Sequence, residues 1–333
     1  MLKSFLWPPS YSDLPHNNVF EAVRLYYTLL INVISKYNTL LLFFSLHFKS
    51  SEDFSSTSHR VNHMEFDLSR NDGSILFSHR EGLKTTDGKK TTEVASGFDS
   101  VTGFRQLNAS HIVLVEHYNH CLKMYNRKDK SAKLFAGKCG LRGHVDGTSA
   151  VFGLPWSVVI DERNPGNLLV TEWGNGALRS VAVDSGIVST VIEDGLLLPK
   201  GLAWYNGRLL VCNSGYISEI SWDSKGTVSN KRLTTGRRDY RNSGLEDYRD
   251  GDFSIALIDD PAEIQQISDG LFLVLEEERL RVMNMFHKKV LPVCIESGPN
   301  CAVSTVLRHG DSALLANNES VYLGDYGITK LTG

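Results

Sequence analysis

Short apolar runs recur along most of the chain, and each is followed by a turn and a segment of alternating polarity. The clearest pair aligns without gaps: HIVLVEHYNHCLKMY at 111–125 and NLLVTEWGNGALRSV at 167–181. Both have an apolar run, a Glu, two further residues, an Asn and a second apolar run. Runs this short, bounded by turn residues, predict strands buried on both faces. Their repetition predicts an architecture built several times from one unit.

Further strands surround each apolar run. A Pro-led strand precedes three of the runs, starting at Pro155, Pro199 and Pro261, and a third strand often follows. Four strands per unit is the content of a propeller blade. The longer links also contain a Gly-Leu pair followed by an Asp-Gly pair, with Asp-Gly at 87–88, 146–147 and 250–251. Asp-Gly favours a tight turn, so we expect a turn at each position.

One stretch, 135–181, resembles an NHL repeat. The residues that match the family's pattern are, in order, Gly137, Asp146, Gly147, Pro155, Asp161, Gly166, Asn167, Glu172, Asn175, Leu178 and Arg179. Glu116, Glu172 and Glu276 stand where the family more often has Asp. The resemblance implies an all-β fold, an NHL-type β-propeller over 61–333. We expect six blades, with five as the alternative.

Residues 1–60 differ from the rest of the chain. The hydrophobic segment 25–48 has the length of a membrane span, although Lys36 near its middle makes insertion costly. We expect a separate hydrophobic helix here, followed by a polar, Ser-rich linker at 50–59. Three interpretations stay open: a signal anchor or uncleaved signal, a packed or amphipathic helix, and a non-native extension. The first would anchor the protein to a membrane through 25–48.

The charge and the cysteines narrow the function classes. The net charge is −3, which argues against a general nucleic-acid binder because such a protein needs a basic face. None of the five cysteines forms a CxxC pair, so a zinc knuckle is not expected. Cys212 is predicted to be a buried free thiol, and Cys294 with Cys301 could close a short loop in an oxidising compartment.

Acid and amide side chains at the ends of the apolar runs are the candidate metal ligands. Their oxygen atoms suit Ca²⁺, and Zn²⁺ with nearby histidines is the other candidate metal. The competing interpretation is structural: the acid accepts backbone N–H bonds from a turn, and the Asn stabilises the turn. Repetition favours the structural role. The residues concerned are Glu116, Asn119, Glu172, Asn175 and Glu276, with His111, His117, His120 and His144 as possible metal partners.

The amidating lyases of the resembled family hold zinc with histidines that include those just after the blade-leading Pro. At those places this chain has Trp156, Lys200 and Ala262, which argues against lyase activity.

An exposed aromatic cluster is the candidate partner surface. Trp173 is predicted at a turn, near Tyr118 and Arg179, where it would serve as an anchor for a partner. The alternative is packing between blades. Two Asn-X-Ser acceptor patterns, at Asn108 and Asn318, fall at predicted turns and are candidate glycosylation sites.

These features favour a non-catalytic propeller that presents one face to a protein or glycan partner and needs no cofactor. The alternative is a metal-dependent hydrolase or lyase with its site in the central channel. A membrane-anchored or extracellular location is favoured over a cytoplasmic one.

Overall fold

The described part of the chain consists of strands and the turns between them. In the computed structural model it comprises residues 46–48, 50–56, 60–237, 248–276, 279–295, 313–316, 320–324 and 327–332. All of it belongs to one compact unit, Ser45–Gly333. No helix of this part could span a bilayer, because the described residues form none. The helix predicted upstream lies almost wholly outside the described residues, and its last three residues, Leu46–Phe48, form a strand instead.

Twenty-six strands are described. The first half, in chain order, is β1 (Leu46–Phe48), β2 (Ser50–Ser56), β3 (Val61–Phe66), β4 (Ile75–His79), β5 (Gly82–Thr86), β6 (Thr91–Ser96), β7 (Val101–Gln106), β8 (His111–Glu116), β9 (Cys121–Asn126), β10 (Ser131–Gly137), β11 (Pro155–Ile160), β12 (Asn167–Glu172) and β13 (Ala177–Ala182). The second half is β14 (Val188–Ile192), β15 (Leu202–Tyr205), β16 (Arg208–Asn213), β17 (Tyr216–Trp222), β18 (Val228–Gly236), β19 (Gly251–Asp252), β20 (Glu263–Ser268), β21 (Leu271–Leu275), β22 (Leu280–Asn284), β23 (Lys289–Ile295), β24 (Ala313–Ala316), β25 (Ser320–Gly324) and β26 (Gly327–Thr332).

Five sheets of four antiparallel strands are the blades of an all-β propeller. Four of them are consecutive meanders, β3–β6, β7–β10, β11–β14 and β15–β18, and the fifth has the order β2-β26-β25-β24. The first strands of neighbouring sheets lie side by side around the centre. Antiparallel pairing of sequential strands needs only short turns, which explains why the repeated unit is compact.

One further sheet has six strands. The meander β20–β23 forms most of it, β1 runs parallel to β23, and the two-residue β19 pairs with β23 as well. The link before β11 also pairs with the last strand of its meander, since Gly147 bridges to Val188 on β14. The Asp-Gly turns at 146–147 and 250–251 are therefore equivalent. Asp87–Gly88 is different, because it forms the ordinary turn between β5 and β6.

The two ends of the propeller chain meet in one blade. Ser50–Ser56 pairs antiparallel with Gly327–Thr332. This segment was predicted to be a polar linker, since it has no apolar run to mark it as a strand. Its pairing covers the outer edge of β26, which would otherwise expose unpaired N–H and C=O groups.

The apolar runs are buried on both faces, as the sequence predicts. Along β8, Ile112 and Leu114 pack towards the preceding blade, whereas Val113 and Val115 pack towards the following one. All four side chains are fully buried. Burying a Val or Leu side chain stabilises the fold by about 1.5–3 kcal/mol, so each run stabilises two inter-blade contacts at once.

A disulfide joins Cys121, at the start of β9, to Cys139 in the link that leaves β10. No spacing pattern in the sequence pointed to this pair. Cys212 is a buried free thiol, which confirms the prediction for that residue. Cys301 lies outside the described residues, so the proposed bond to Cys294 stays a prediction.

We expect reduction of Cys121–Cys139 to lower the free energy of unfolding by about 3 kcal/mol, because the bond closes a loop with a sequence separation of 18 residues. Urea unfolding of the full chain with and without reductant measures this. A Cys121→Ser, Cys139→Ser variant should lose the same stability in the absence of reductant. An oxidised protein no more stable than that variant would contradict the bond.

A buried charge network joins strands that are not neighbours in the ring. His63 on β3 lies 3.3 Å from Glu263 on β20 and 3.7 Å from Glu65, and Arg105 on β7 lies 3.0 Å from Glu65. Burial alone would lower the pKa of His63, but the carboxylates of Glu263 and Glu65 outweigh it and raise the pKa to about 9. The His63 imidazolium therefore links two sheets across the centre.

Because the folded-state pKa of His63 is raised, its stabilisation is full below the unfolded pKa near 6.5 and is lost as the pH rises through about 9. A shift of this size corresponds to ~3 kcal/mol. We expect the difference in unfolding free energy between wild type and His63→Gln to shrink by that order between those two pH values. Chemical denaturation across the range tests this, and a difference that is independent of pH would contradict it.

Candidate functional site

One end of the propeller collects the candidate binding residues. In each meander the first strand begins at the end of the ring where the second strand turns into the third. The start of β11 at Pro155 and the segment from Pro199 that leads into β15 therefore lie at the same end as the turns 117–120 and 173–176. We call the four aromatic side chains gathered there, His117, Tyr118, Trp156 and Trp173, the aromatic patch.

The rings of the aromatic patch contact one another across two blades. His117 packs edge-on against Tyr118, Trp156 and Trp173, with ring centroids 4.7, 4.9 and 6.0 Å away. Trp156 and Trp173 are tilted by 31° with centroids 6.4 Å apart. Tyr118 is 63% exposed, and both Trp side chains are partly exposed. The patch therefore presents aromatic surface to solvent at this end.

His117 is the buried centre of the aromatic patch. Its Nδ1 lies 3.0 Å from the Pro155 carbonyl oxygen, which can only accept, so Nδ1 carries the proton. Burial lowers the pKa of His117 to about 4, although the bond to Pro155 partly opposes the shift. The ring is therefore neutral near pH 7, and Nε2 remains a hydrogen-bond acceptor.

A polar pair adjoins the aromatic patch. The Nζ of Lys200 lies 5.5 Å from the centroid of the Trp156 ring and 2.8 Å from Oδ2 of Asp260. Ser214 donates a hydrogen bond of 3.0 Å to Oδ1 of the same carboxylate. Trp156 thus lies between His117 and a compensated ammonium group. Sequence reasoning did not bring Lys200 and Asp260 together, although both adjoin a blade-leading Pro.

The predicted metal ligands are engaged in internal bonds. Glu116 accepts from the backbone N–H of Asp99 at 2.9 Å and from the Asn119 amide at 3.1 Å, and Lys123 Nζ lies 2.9 Å away. Glu172 accepts from the backbone N–H of Gly153 and from the Asn175 amide. In both blades the acid joins the entry of the first strand to the turn after the second. This is the structural role that repetition favoured.

The same acid pairs with an arginine in two blades. Arg179 lies 2.9 Å from Glu172 and 2.6 Å from Asp146. Arg281 likewise lies 3.1 Å from Glu276 and 2.7 Å from Asp250. Glu276 also accepts from the backbone N–H of Asp259, 3.0 Å away.

Arg179 does not belong to the partner surface. The sequence prediction placed it beside Trp173, but its side chain is fully buried between Glu172 and Asp146. The link that carries Asp146 shields the arginine from solvent. The alternation of side chains along a strand does not predict that a link will cover one of them.

The four histidines do not form one site. His111 and Asn108 contact each other at the turn between β7 and β8. His120, in a left-handed turn position with φ 57°, accepts from the backbone N–H of Leu154. His144 Nδ1 lies 2.9 Å from Glu172. Within the described residues, the one group with metal-binding geometry is Glu116, Cys121 and Cys139, whose two sulfurs are bonded to each other.

The glycosylation candidate Asn108 is exposed in the turn between β7 and β8. Its Oδ1 accepts from the backbone N–H groups of Ser110 and His111, both at 2.9 Å, which leaves the amide nitrogen outside these bonds. Asn318 lies outside the described residues. Modification of Asn108 and Asn318 stays a prediction.

No protein-family model matches this sequence, and no curated protein is significantly similar to it. The fold is similar to solved propellers. An auxiliary nutrient binding protein from Bacteroides ovatus has a TM-score of 0.65 at 10% identity over 86% of this chain and 75% of that one. One from Bacteroides thetaiotaomicron has 0.63 at 13% over 83% and 69%. A gluconolactonase from Xanthomonas campestris has 0.58 at 12% over 85% and 89%. Identities this low show a shared fold alone.

We expect Arg179→Met to cost about 3–5 kcal/mol of unfolding free energy, because Glu172 would stay buried without its partner charge. Asp146→Asn should cost less than about 1 kcal/mol, because the Asp146 side chain is 49% exposed. Urea unfolding at neutral pH provides the measurement. Arg281→Met in the equivalent blade should cost less, because burial raises the pKa of Glu276 to about 7 and this carboxyl can take up a proton once its partner charge is removed.

Proposed function

We propose that this protein is a non-catalytic β-propeller that binds a protein or glycan partner through the aromatic patch and the adjoining Lys200–Asp260 pair. The observation that carries the proposal is the exposed aromatic surface at one end of the ring. Aromatic side chains supply large contact areas with few rotatable bonds, which is why they dominate the energy of binding surfaces.

The internal bonds of the predicted metal ligands support binding over metal-dependent hydrolysis or elimination. A catalytic metal site needs ligands with free lone pairs around an open position. Here Glu116 and Glu172 are occupied by backbone N–H groups, amides and cations. The similar solved propellers include both nutrient-binding proteins and a gluconolactonase, so the fold is compatible with either function.

We propose that the six-stranded sheet acts as the sixth blade of an NHL-type propeller. Its core β20–β23 is a four-stranded meander, and its first strand, β20, lies between β15 and β24. The Gln265 amide also exchanges hydrogen bonds with the backbone of Ala316 on β24. The Glu276–Arg281–Asp250 contacts repeat those of the blade β11–β14.

We also propose that the part of segment 25–48 that precedes the strand Leu46–Phe48 holds the protein at a membrane or directs it outside the cytoplasm. The Cys121–Cys139 bond supports this location, because disulfides persist in oxidising compartments.

The binding surface is tested with two matched aromatic substitutions. Tyr118 is 63% exposed in the aromatic patch, and Phe286 is 55% exposed in the turn after β22, at the opposite end of the ring. We expect full-length Tyr118→Ala to bind its partner at least about 10-fold more weakly, whereas Phe286→Ala binds like wild type.

Partners are captured from the native tissue by photo-crosslinking and compared across the two variants, after circular dichroism has confirmed that both fold. Loss of the same partner from both variants, or from neither, would contradict the assigned surface. Stoichiometric metal in the purified protein, released by chelator together with a catalytic activity, would contradict the non-catalytic proposal.

A further inference from the structure

We infer that the ligand of the aromatic patch is a neutral saccharide, whose pyranose ring stacks on Trp173 while its hydroxyl groups bond to Lys200 and Asp260. This inference rests on the proposed function and names the class of ligand for the same surface. It follows from three properties of the site: the type of apolar surface, the charge balance and the direction of the polar atoms.

The apolar surface is made of rings and not of aliphatic side chains. The four rings of the patch lie within 6.4 Å of a neighbouring ring, centroid to centroid. The faces of aromatic rings carry negative electrostatic potential, which attracts polarised C–H groups. A pyranose with equatorial hydroxyls presents such C–H groups on its flat face. Aliphatic protein side chains would pack equally well on Leu or Val, so they do not explain a surface of rings.

The charges around the patch are compensated. Lys200 pairs with Asp260 at 2.8 Å, and farther along the same end Arg279 lies 4.0 Å from Asp259. An acidic glycan or a nucleic acid gains affinity from cations that its own anionic groups can neutralise. Lys200 and Arg279 each already have an acid beside them, so a ligand without charge has the advantage at these two positions.

The polar atoms at the edge of the patch suit hydroxyl groups. A hydroxyl donates and accepts, and the Lys200–Asp260 pair offers an ammonium donor and carboxylate acceptors side by side. Asp260 is held by Ser214, so the pair is oriented before any ligand arrives. A few fixed polar groups beside an aromatic surface are typical of sites that orient a small polar ligand.

The first test is a glycan array that contains neutral, sialylated and sulfated glycans, probed with the fluorescently labelled full-length protein. We expect binding to neutral glycans, and only slight weakening between about 50 and 200 mM salt because no phosphate-like contacts are neutralised. Binding to charged glycans alone would overturn the inference. The strongest neutral glycan then serves as the probe in isothermal titration calorimetry.

Four variants test separate parts of the site by titration. Trp173→Ala and Asp260→Asn should each weaken binding of the neutral glycan at least about 10-fold, whereas Phe286→Ala should bind like wild type. Trp173→Phe should recover part of the lost affinity, because it restores a ring. Equal binding by wild type and Trp173→Ala would overturn the inference, provided that thermal unfolding shows both proteins folded.

Failure of this inference is distinguishable from failure of the proposed function. If no neutral glycan binds, but photo-crosslinking still captures a protein that Tyr118→Ala loses, the saccharide is wrong and the binding surface stands. If neither a glycan nor a protein depends on the aromatic patch, both proposals fail.

Discussion

Each apolar strand in the described part of this protein needs a neighbouring blade on each face. The apolar residues of β8 point alternately to the blade before and the blade after, and the other apolar runs have no polar face either. A sheet of this kind is not stable in isolation, because half of its apolar surface would meet water. The requirement is satisfied at every position only when the sheets close into a ring. Closure then fixes where the ends of all the strands lie.

The position of the aromatic patch is a consequence of how the strands enter the ring. The acid at the end of a second strand holds the backbone at the start of a first strand, as Glu172 does with Gly153. Pro155 and Trp156 follow directly, and Trp173 and Asn175 follow the acid itself. A bond that stabilises the blade therefore also sets the position of the aromatic rings.

Local features of the sequence were predictable, and long-range pairings were not. The apolar runs and the shared position of Glu116 and Glu172 at the ends of two of them follow from a unit of fifteen residues. Arg179, the pair Lys200–Asp260 and the bond Cys121–Cys139 depend on links that cross between blades. Contacts of this kind leave no periodic pattern in the sequence. The strand Ser50–Ser56 was not predicted for a related reason. An outer strand depends on backbone pairing more than on an apolar side-chain pattern.

Because Ser50–Ser56 pairs with Gly327–Thr332, an early strand of the propeller has no partner until a late strand has been made. During synthesis, β2 leaves the ribosome long before β26. The blade that contains both strands therefore stays incomplete until β26 has emerged. Until then β2 has no strand to pair with. Removal of residues before Ser50 would leave this pairing in place, whereas a cut between Ser56 and Val61 would break the covalent link between β2 and the next blade, so that backbone pairing with β26 would hold the strand.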